Sequence, residues 1–413
     1  MAVFKAFSAI RPRADLVQQV AALPYDVMNR TEAKQMVEGN PYSFLHVDKA
    51  EIDLPDTTDP YDASVYAQAA NTLQRMRREG IYLQDVTPCY YIYRLRMNGK
   101  EQVGIVGCAS IDDYIHNRIK KHELTRADKE EDRIRHVDTC DANTGPIFLA
   151  YRSREDINQC KHNWMQEHPP VYDFTAEDGI QHTVWVVDDA DTILTFRDAF
   201  SKLEDLYIAD GHHRAASAVQ VGLKRRAEHP EYTGSEEFNY FLAVAFPDSE
   251  LEIFDYNRVV SDLHGRTQEE FLQELAEVME LDTVAAAYRP EEIHTFGMYM
   301  NGSWYKLTLK DGICDALDTV GCLDVSVLQT QVLAPILGIT DPRTSDRIAF
   351  VGGIRGLAEL ERLVDGGKAL AFSMYPTSME ELMNIADQGE IMPPKSTWFE
   401  PKLRSGIFIH SLR

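Results

Sequence analysis

Apolar and polar positions change period several times along this chain, and each change marks an element. Asn29 and Glu32 make an N-x-x-E capping pattern, and Gly39 followed by Pro41 stops the helix they open. A longer helix is predicted over residues 61–79, with Gly80 as its C-terminal cap. Between them, residues 40–47 (NPYSFLHV) form an apolar run of strand type. Residues 88–95 and 103–107 are rich in β-formers and flank Asn98-Gly99, the strongest short hairpin signal. Apolar strand runs recur at 146–151, 183–187 and 206–209, with helical stretches at 193–203 and 215–226. Residues 240–246 and 251–254 read as a hairpin-like pair. After about Ser261 come a helix near 269–279 and a hairpin turning on Asn301-Gly302. Helix, strand, helix, strand and helix signals then follow over 325–386. The order is mixed α/β (α+β), neither all-α nor all-β.

One segment breaks the pattern. From Lys120 to His136, thirteen of seventeen residues are charged or histidine, so this helix has almost no apolar stripe and cannot be held by core burial alone. Its pairs Asp128/Asp132 and Lys129/Arg133 are like-charged at i,i+4, which an element selected for stability alone would avoid.

A length of 413 residues exceeds one ordinary core. Three regions are expected: 1–85, a helical and strand segment packing on the core; 86–260, the core; and 261–413, a further α/β domain. The net charge of −24 argues against nucleic acid as the main partner and against an anionic membrane surface. The six cysteines form no C-x-x-C pair and read as scattered reduced thiols, which fits a cytoplasmic address. The first residues carry no long apolar run, so no signal peptide is expected, and no run of about 18 apolar residues occurs. The oligomeric state stays open, a homo-oligomer included.

The sharpest chemical signal is the run from Leu206 to Ala216 (LYIADGHHRAA), which reads as a buried strand, a tight turn at Gly211 and an alanine-rich helix. Free amides and the positive dipole end at such a helix start suit an anion, and Gly211 lets backbone approach a phosphate closely. His212, His213 and Arg214 add donors, and Arg214 can grip two oxygens at once. Asp210 can hold magnesium or orient a histidine. Zinc is a rival, since histidines and a carboxylate are its ligand types, but consecutive residues point in different directions and no H-x-x-x-H or H-E-x-x-H spacing occurs. A plainer alternative makes Asp210 a helix cap with solvated histidines.

His122-Glu123 stands just before the capping-box-like Thr125 and Asp128. A carboxylate beside a phosphate site can take the proton of an alcohol nucleophile. Weaker signals are Pro24-Tyr25-Asp26 and Lys395-Ser396-Thr397, in turn-like sequence where Lys395 or Lys402 can reach phosphate as a point charge. Residues 351–356 (VGGIRG) lack either glycine-loop spacing.

Five motifs together carry a resemblance: PYDV at 24–27, NPYSFLHV at 40–47, HELTRADKEEDRIRHVD at 122–138, ADGHHR at 209–214 and MPPKSTWFEPKLRSG at 392–406. They resemble a large bacterial family long catalogued as a domain of unknown function. Its central part is similar to the ParB-like and sulfiredoxin-like nucleotide-binding fold, and the closest activity in that superfamily is free-serine kinase. The resemblance implies a ParB-like core with an additional C-terminal α/β domain. It also implies a phosphotransferase that moves a phosphoryl group from ATP or ADP, with Mg2+, to free L-serine, giving O-phosphoserine. Glu123 would be the base, with His122, Asp210 and His213 beside the reacting groups. Gly211, His212, His213, Arg214, Arg126 and Lys395 would hold the nucleotide, and Asp210 the magnesium. A phosphoserine phosphatase on the same site and a nucleotide-binding switch without turnover are the alternatives.

Overall fold

A computed structural model describes residues 2–314 and 318–413. The chain forms two compact units, one of Met1–Leu251 with Pro401–Arg413, the other of Glu252–Glu400. These bounds differ from the three regions expected above, because the closing segment joins the first unit through specific backbone pairings. Ile10 pairs with Ile409, Ala22 with Ser405, and the Tyr82 hydroxyl donates to the Gly406 carbonyl. The helical segment before residue 86 shares a core with Ala142 and Ile409, including Phe44, Leu45, Val65 and Leu73.

The first unit is built on a nine-stranded mixed sheet. Its order runs Ile119–Lys120, Leu206–Asp210, Ile147–Tyr151, Tyr240–Pro247, Lys100–Ser110, Tyr90–Met97, Gln181–Val187 and Tyr172–Thr175, with Phe4–Lys5 on Lys100–Ser110. The expected hairpin forms as Tyr90–Met97 and Lys100–Ser110. Asn98 and Gly99 both take positive φ, 52° and 81°, as a turn matched to strand twist requires. The Asn29/Glu32 capping box is also present, opening Arg30–Met36.

Two expectations fail. Residues 40–47 do not form a strand: Leu45–Asp48 is one helical turn, with Phe44, Leu45 and Val47 buried. A short apolar run has no period that separates buried strand from buried helix. Nor do 240–246 and 251–254 make a hairpin. Tyr240–Pro247 lies between Lys100–Ser110 and Ile147–Tyr151, so both its edges are taken, and Ile253–Phe254 pairs with Trp398–Phe399 instead.

The charged segment is the helix Ala127–Cys140, and a polar face holds it down. Asp132, Arg133 and His136 are buried. Asp132 accepts from the Tyr66 hydroxyl at 2.9 Å, His136 Nε2 meets the Val47 carbonyl at 3.0 Å, and the Arg133 guanidinium lies 4.0 Å from the Tyr25 ring. Buried polar groups with partners substitute here for the missing apolar stripe.

The second unit carries a six-stranded antiparallel sheet ordered Met279–Val284, Ser303–Leu309, Thr295–Met300, Leu370–Met374, Tyr256–Val260 and Ile348–Gly352. The Asn301-Gly302 turn is present, and the helix Leu357–Asp365 packs Leu360 and Val364 on Val259, Trp304 and Ala371. Cys314 and Cys322 are joined as a disulfide with Cα atoms 5.5 Å apart, whereas Cys89, Cys108, Cys140 and Cys160 are free. That pair corrects the expectation of six separate thiols: a spacing of eight residues matches no motif that would have marked it. Among the described residues no helix is long and apolar enough to cross a membrane.

Candidate functional site

Two parallel strands of the first unit deliver the site. Ile119–Lys120 pairs with Leu206–Asp210 in parallel register, Ile119 beside Leu206 and Lys120 beside Tyr207. Parallel strands end on the same side, so the residues that follow each, His122-Glu123 and Gly211-His212, emerge next to one another. Such carboxyl-end crevices are where open α/β sheets hold ligands.

At the turn itself, Gly211 has φ +97° and is the N-cap of the helix His212–Glu228. It has no side chain to cap the first-turn amides, so they stay available to an anion. The Arg214 guanidinium folds back over Gly211, with Nε 3.0 Å from where a Cβ would stand. One Arg214 nitrogen donates to the Pro146 carbonyl, another lies 3.8 Å from Asp210, and the buried Nε makes no hydrogen bond among the described residues. Asp210 Oδ2 accepts from Lys402 Nζ at 3.2 Å. Burial pushes the Asp210 carboxyl up, but Lys402 and Arg214 outweigh it and hold the group below the usual carboxylate range.

His122 and His212 meet edge to face, ring centres 4.5 Å apart, with 2% and 5% of their surface exposed. Burial lowers the His122 pKa to about 4, the Asp210 charge only partly offsetting it. Burial, then the neighbouring His122, lowers His212 likewise. Both rings are therefore neutral at physiological pH. Neither nitrogen of His122, nor Nε2 of His212, makes a hydrogen bond of normal geometry among the described residues, although the Ile208 carbonyl lies close enough to raise the His122 pKa slightly. His212 Nδ1 lies 3.8 Å from Glu123 Oε2, and the Glu123 side chain is 42% exposed. Ligand atoms of His122, Glu123 and His212 all fall within 4.8 Å of one another.

His213 turns the other way. Its Nε2 accepts the Arg126 amide at 3.0 Å, which ties the loop after Glu123 to the helix start. The Arg126 guanidinium is spent on Asp128, both exposed. Lys395 belongs to the second unit, where its ammonium lies 5.6 Å from the Tyr256 ring. Of the expected residues, the first unit thus brings together His122, Glu123, Asp210, Gly211, His212 and Arg214, with Lys402 as the lysine on Asp210.

Beyond Arg214 lies a small cleft whose lining includes Tyr25, Asp48, Arg133, His136 and Thr144. Asp48 accepts from the Thr144 hydroxyl at 2.9 Å. Of these, Tyr25 stood out in the sequence as part of a turn, and Arg133 and His136 only as members of the charged segment. Arg133 and His136 stand three residues apart on one helical face, but nothing local says that this face is the buried one; Asp48 and Thr144 carry no local signal at all.

Fold and site define an α/β protein that presents a glycine-cornered strand-to-helix turn, crowded with histidine, arginine and carboxylate, at the end of two parallel strands. The chain belongs to the family described as a protein of unknown function (DUF1015), whose model matches residues 4–326. No curated protein matches. Among solved structures, a free serine kinase in complex with AMP is 14% identical over 74% of this chain and 91% of that one, with a TM-score of 0.36. SbnI with a C-terminal truncation from Staphylococcus aureus is 12% identical over 71% and 82%, TM-score 0.38. A conserved hypothetical protein from Pyrococcus furiosus is 15% identical over 74% and 94%, TM-score 0.35. Likenesses at this level carry no argument about chemistry, which has to come from the site.

Proposed function

We propose that this chain is a phosphotransferase that moves a phosphoryl group from ATP or ADP to the hydroxyl of a small metabolite, with free L-serine the first candidate. The observation that carries the reading is the Gly211 corner: uncapped first-turn amides with the Arg214 guanidinium laid over them. That arrangement offers N–H donors and fixed positive charge to phosphate oxygens. A Cβ at 211 would close the approach.

Glu123 is the base in this scheme. It takes the hydroxyl proton as the serine oxygen bonds to the terminal phosphorus and the bond to the nucleotide's bridging oxygen breaks. Its exposed side chain stands beside the phosphate corner rather than within the sheet core. Arg214 and the helix amides hold the charge that develops on the transferred group. Lys402 keeps Asp210 ionised, and His213 anchors the loop that carries Glu123. The neighbouring cleft supports an amino-acid acceptor, since Arg133 suits a carboxylate and Asp48 suits an ammonium. Asp210 fits magnesium poorly. Two cations, Lys402 and Arg214, already face it.

The test is to incubate the full chain with ATP or ADP, magnesium and serine and follow O-phosphoserine by phosphorus NMR. Product is expected, and Glu123→Gln should slow its formation by about a hundredfold or more. Phosphate release from phosphoserine without nucleotide would mark a phosphatase instead. Nucleotide binding with neither reaction would mark a switch.

A further inference from the structure

The buried imidazole pair is unused by the phosphotransferase scheme, and its chemistry is that of a metal centre. Elsewhere in the first unit, each buried histidine has at least one ring nitrogen in a hydrogen bond. His136 is on the Val47 carbonyl, His182 on Tyr93 and Arg404, and His410 on Asn143 and Glu237. His122 and His212 break that rule. Three of their four nitrogens are buried without a hydrogen bond of normal geometry among the described residues, the Ile208 carbonyl being the one nearby group that acts on His122. A buried polar group left without a partner costs about 1–3 kcal/mol, so a histidine pair kept this way calls for an acceptor of its lone pairs.

The geometry supplies one direction for them. The two rings approach edge to face at 4.5 Å, and Glu123 reaches toward the same point from the more exposed side, 3.8 Å from His212 Nδ1. Two neutral imidazoles and one carboxylate are the ligand set of catalytic zinc sites, which keep a fourth position open. Ligand atoms within 4.8 Å need to draw in by about an ångström to reach bonds of about 2.0–2.2 Å. The half-exposed Glu123 side chain can supply part of that movement, and a small turn of the rings the rest. Nitrogen donors disfavour magnesium and calcium, which take oxygen. The Asp210 charge is already met by Lys402.

We propose that His122, Glu123 and His212 form a binding site for a borderline divalent cation of the zinc class. Binding does not depend on the phosphotransferase reading. One consequence does: an ion on Glu123 takes the base out of service, so zinc would hold the transfer reaction off until it is removed.

The experiment uses the full chain, stripped of metal with a chelator and dialysed free of it. Zn2+ is titrated in competition with a chromophoric chelator, and Co2+ is added separately and followed by visible absorption. The expected result is one equivalent of tight Zn2+, intense d–d bands from low-coordinate Co2+, and no comparable uptake of Mg2+. His122→Asn and His212→Asn should each weaken Zn2+ by more than about a hundredfold, beyond the roughly ten- to hundredfold typical of a residue that merely supports a ligand. Glu123→Gln, at a position exposed enough to spare folding, should weaken it too. Absence of stoichiometric binding overturns the proposal, as does zinc affinity unchanged in Glu123→Gln even if the histidine variants fail to fold. ADP affinity measured on the same samples keeps the two claims apart, since its loss bears on the phosphate corner and not on the metal.

Discussion

At position 211 a side chain would face two obstacles at once. The backbone sits at φ +97°, where non-glycine residues are strained, and the missing Cβ would stand 3.0–3.1 Å from three atoms of the Arg214 guanidinium. Gly211→Ala is therefore expected to cost about 1–3 kcal/mol of stability. It should also swing Arg214 off the corner, which a thermal melt and an inorganic phosphate titration would read together. A variant as stable as the parent would mean the turn is not held as described. The Asp210–Lys402 pair shows the same dependence of one residue on another. The lysine comes from the closing segment, and without it Asp210 would lose the nearer of its two cations.

At the scale of elements, the strand Gln181–Val187 carries a buried titratable group near its start. His182 is fully buried, with Nδ1 2.8 Å from the Tyr93 hydroxyl and Nε2 accepting from Arg404 Nε at 3.2 Å. Arginine can only donate, so Nε2 is unprotonated and the proton sits on Nδ1. Burial, then the Arg404 charge, lowers its pKa from 6.5 to about 3. A histidine depressed in the folded state stays neutral there while the unfolded chain takes up a proton, so stability is full above pH 6.5 and falls as pH drops toward 3. The loss should reach about 2 kcal/mol by about pH 5. Urea unfolding at several pH values would measure it. His182→Asn should flatten that part of the slope, and an unaltered slope would contradict the assignment.

Elements also show what could be read in advance. The Asn98-Gly99 and Asn301-Gly302 turns, the Asn29 capping box and the strand–glycine–helix run at 206–216 were legible because each is fixed by residues a few positions apart. The buried face of Ala127–Cys140 was not, since its partners Tyr66 and Val47 lie far away in sequence and no local period records them. The meeting of His122 with His212 was hidden for the same reason. It follows from a two-residue parallel pairing between Ile119–Lys120 and Leu206–Asp210, too short to carry a pattern.

For the whole molecule, the closing segment decides whether the first unit is complete. Leu403, Ile407, Phe408 and Ile409 are all buried, and Arg404 and His410 are tied to His182 and Glu237. Burying such apolar side chains contributes about 1.5–3 kcal/mol each, against a total stability of about 5–15 kcal/mol for a domain. Truncation after Glu400 should therefore leave the first unit unable to fold cooperatively, visible as loss of its calorimetric transition. A truncated chain melting like the parent would refute the joint unit. The most direct measurement of the central claim is calorimetric titration of ADP into the full chain and into Arg214→Ala. Tight binding by the parent, weakened at least about tenfold by the loss of one charge-assisted phosphate contact, is the predicted result; equal affinity in both, or none in the parent, would contradict it.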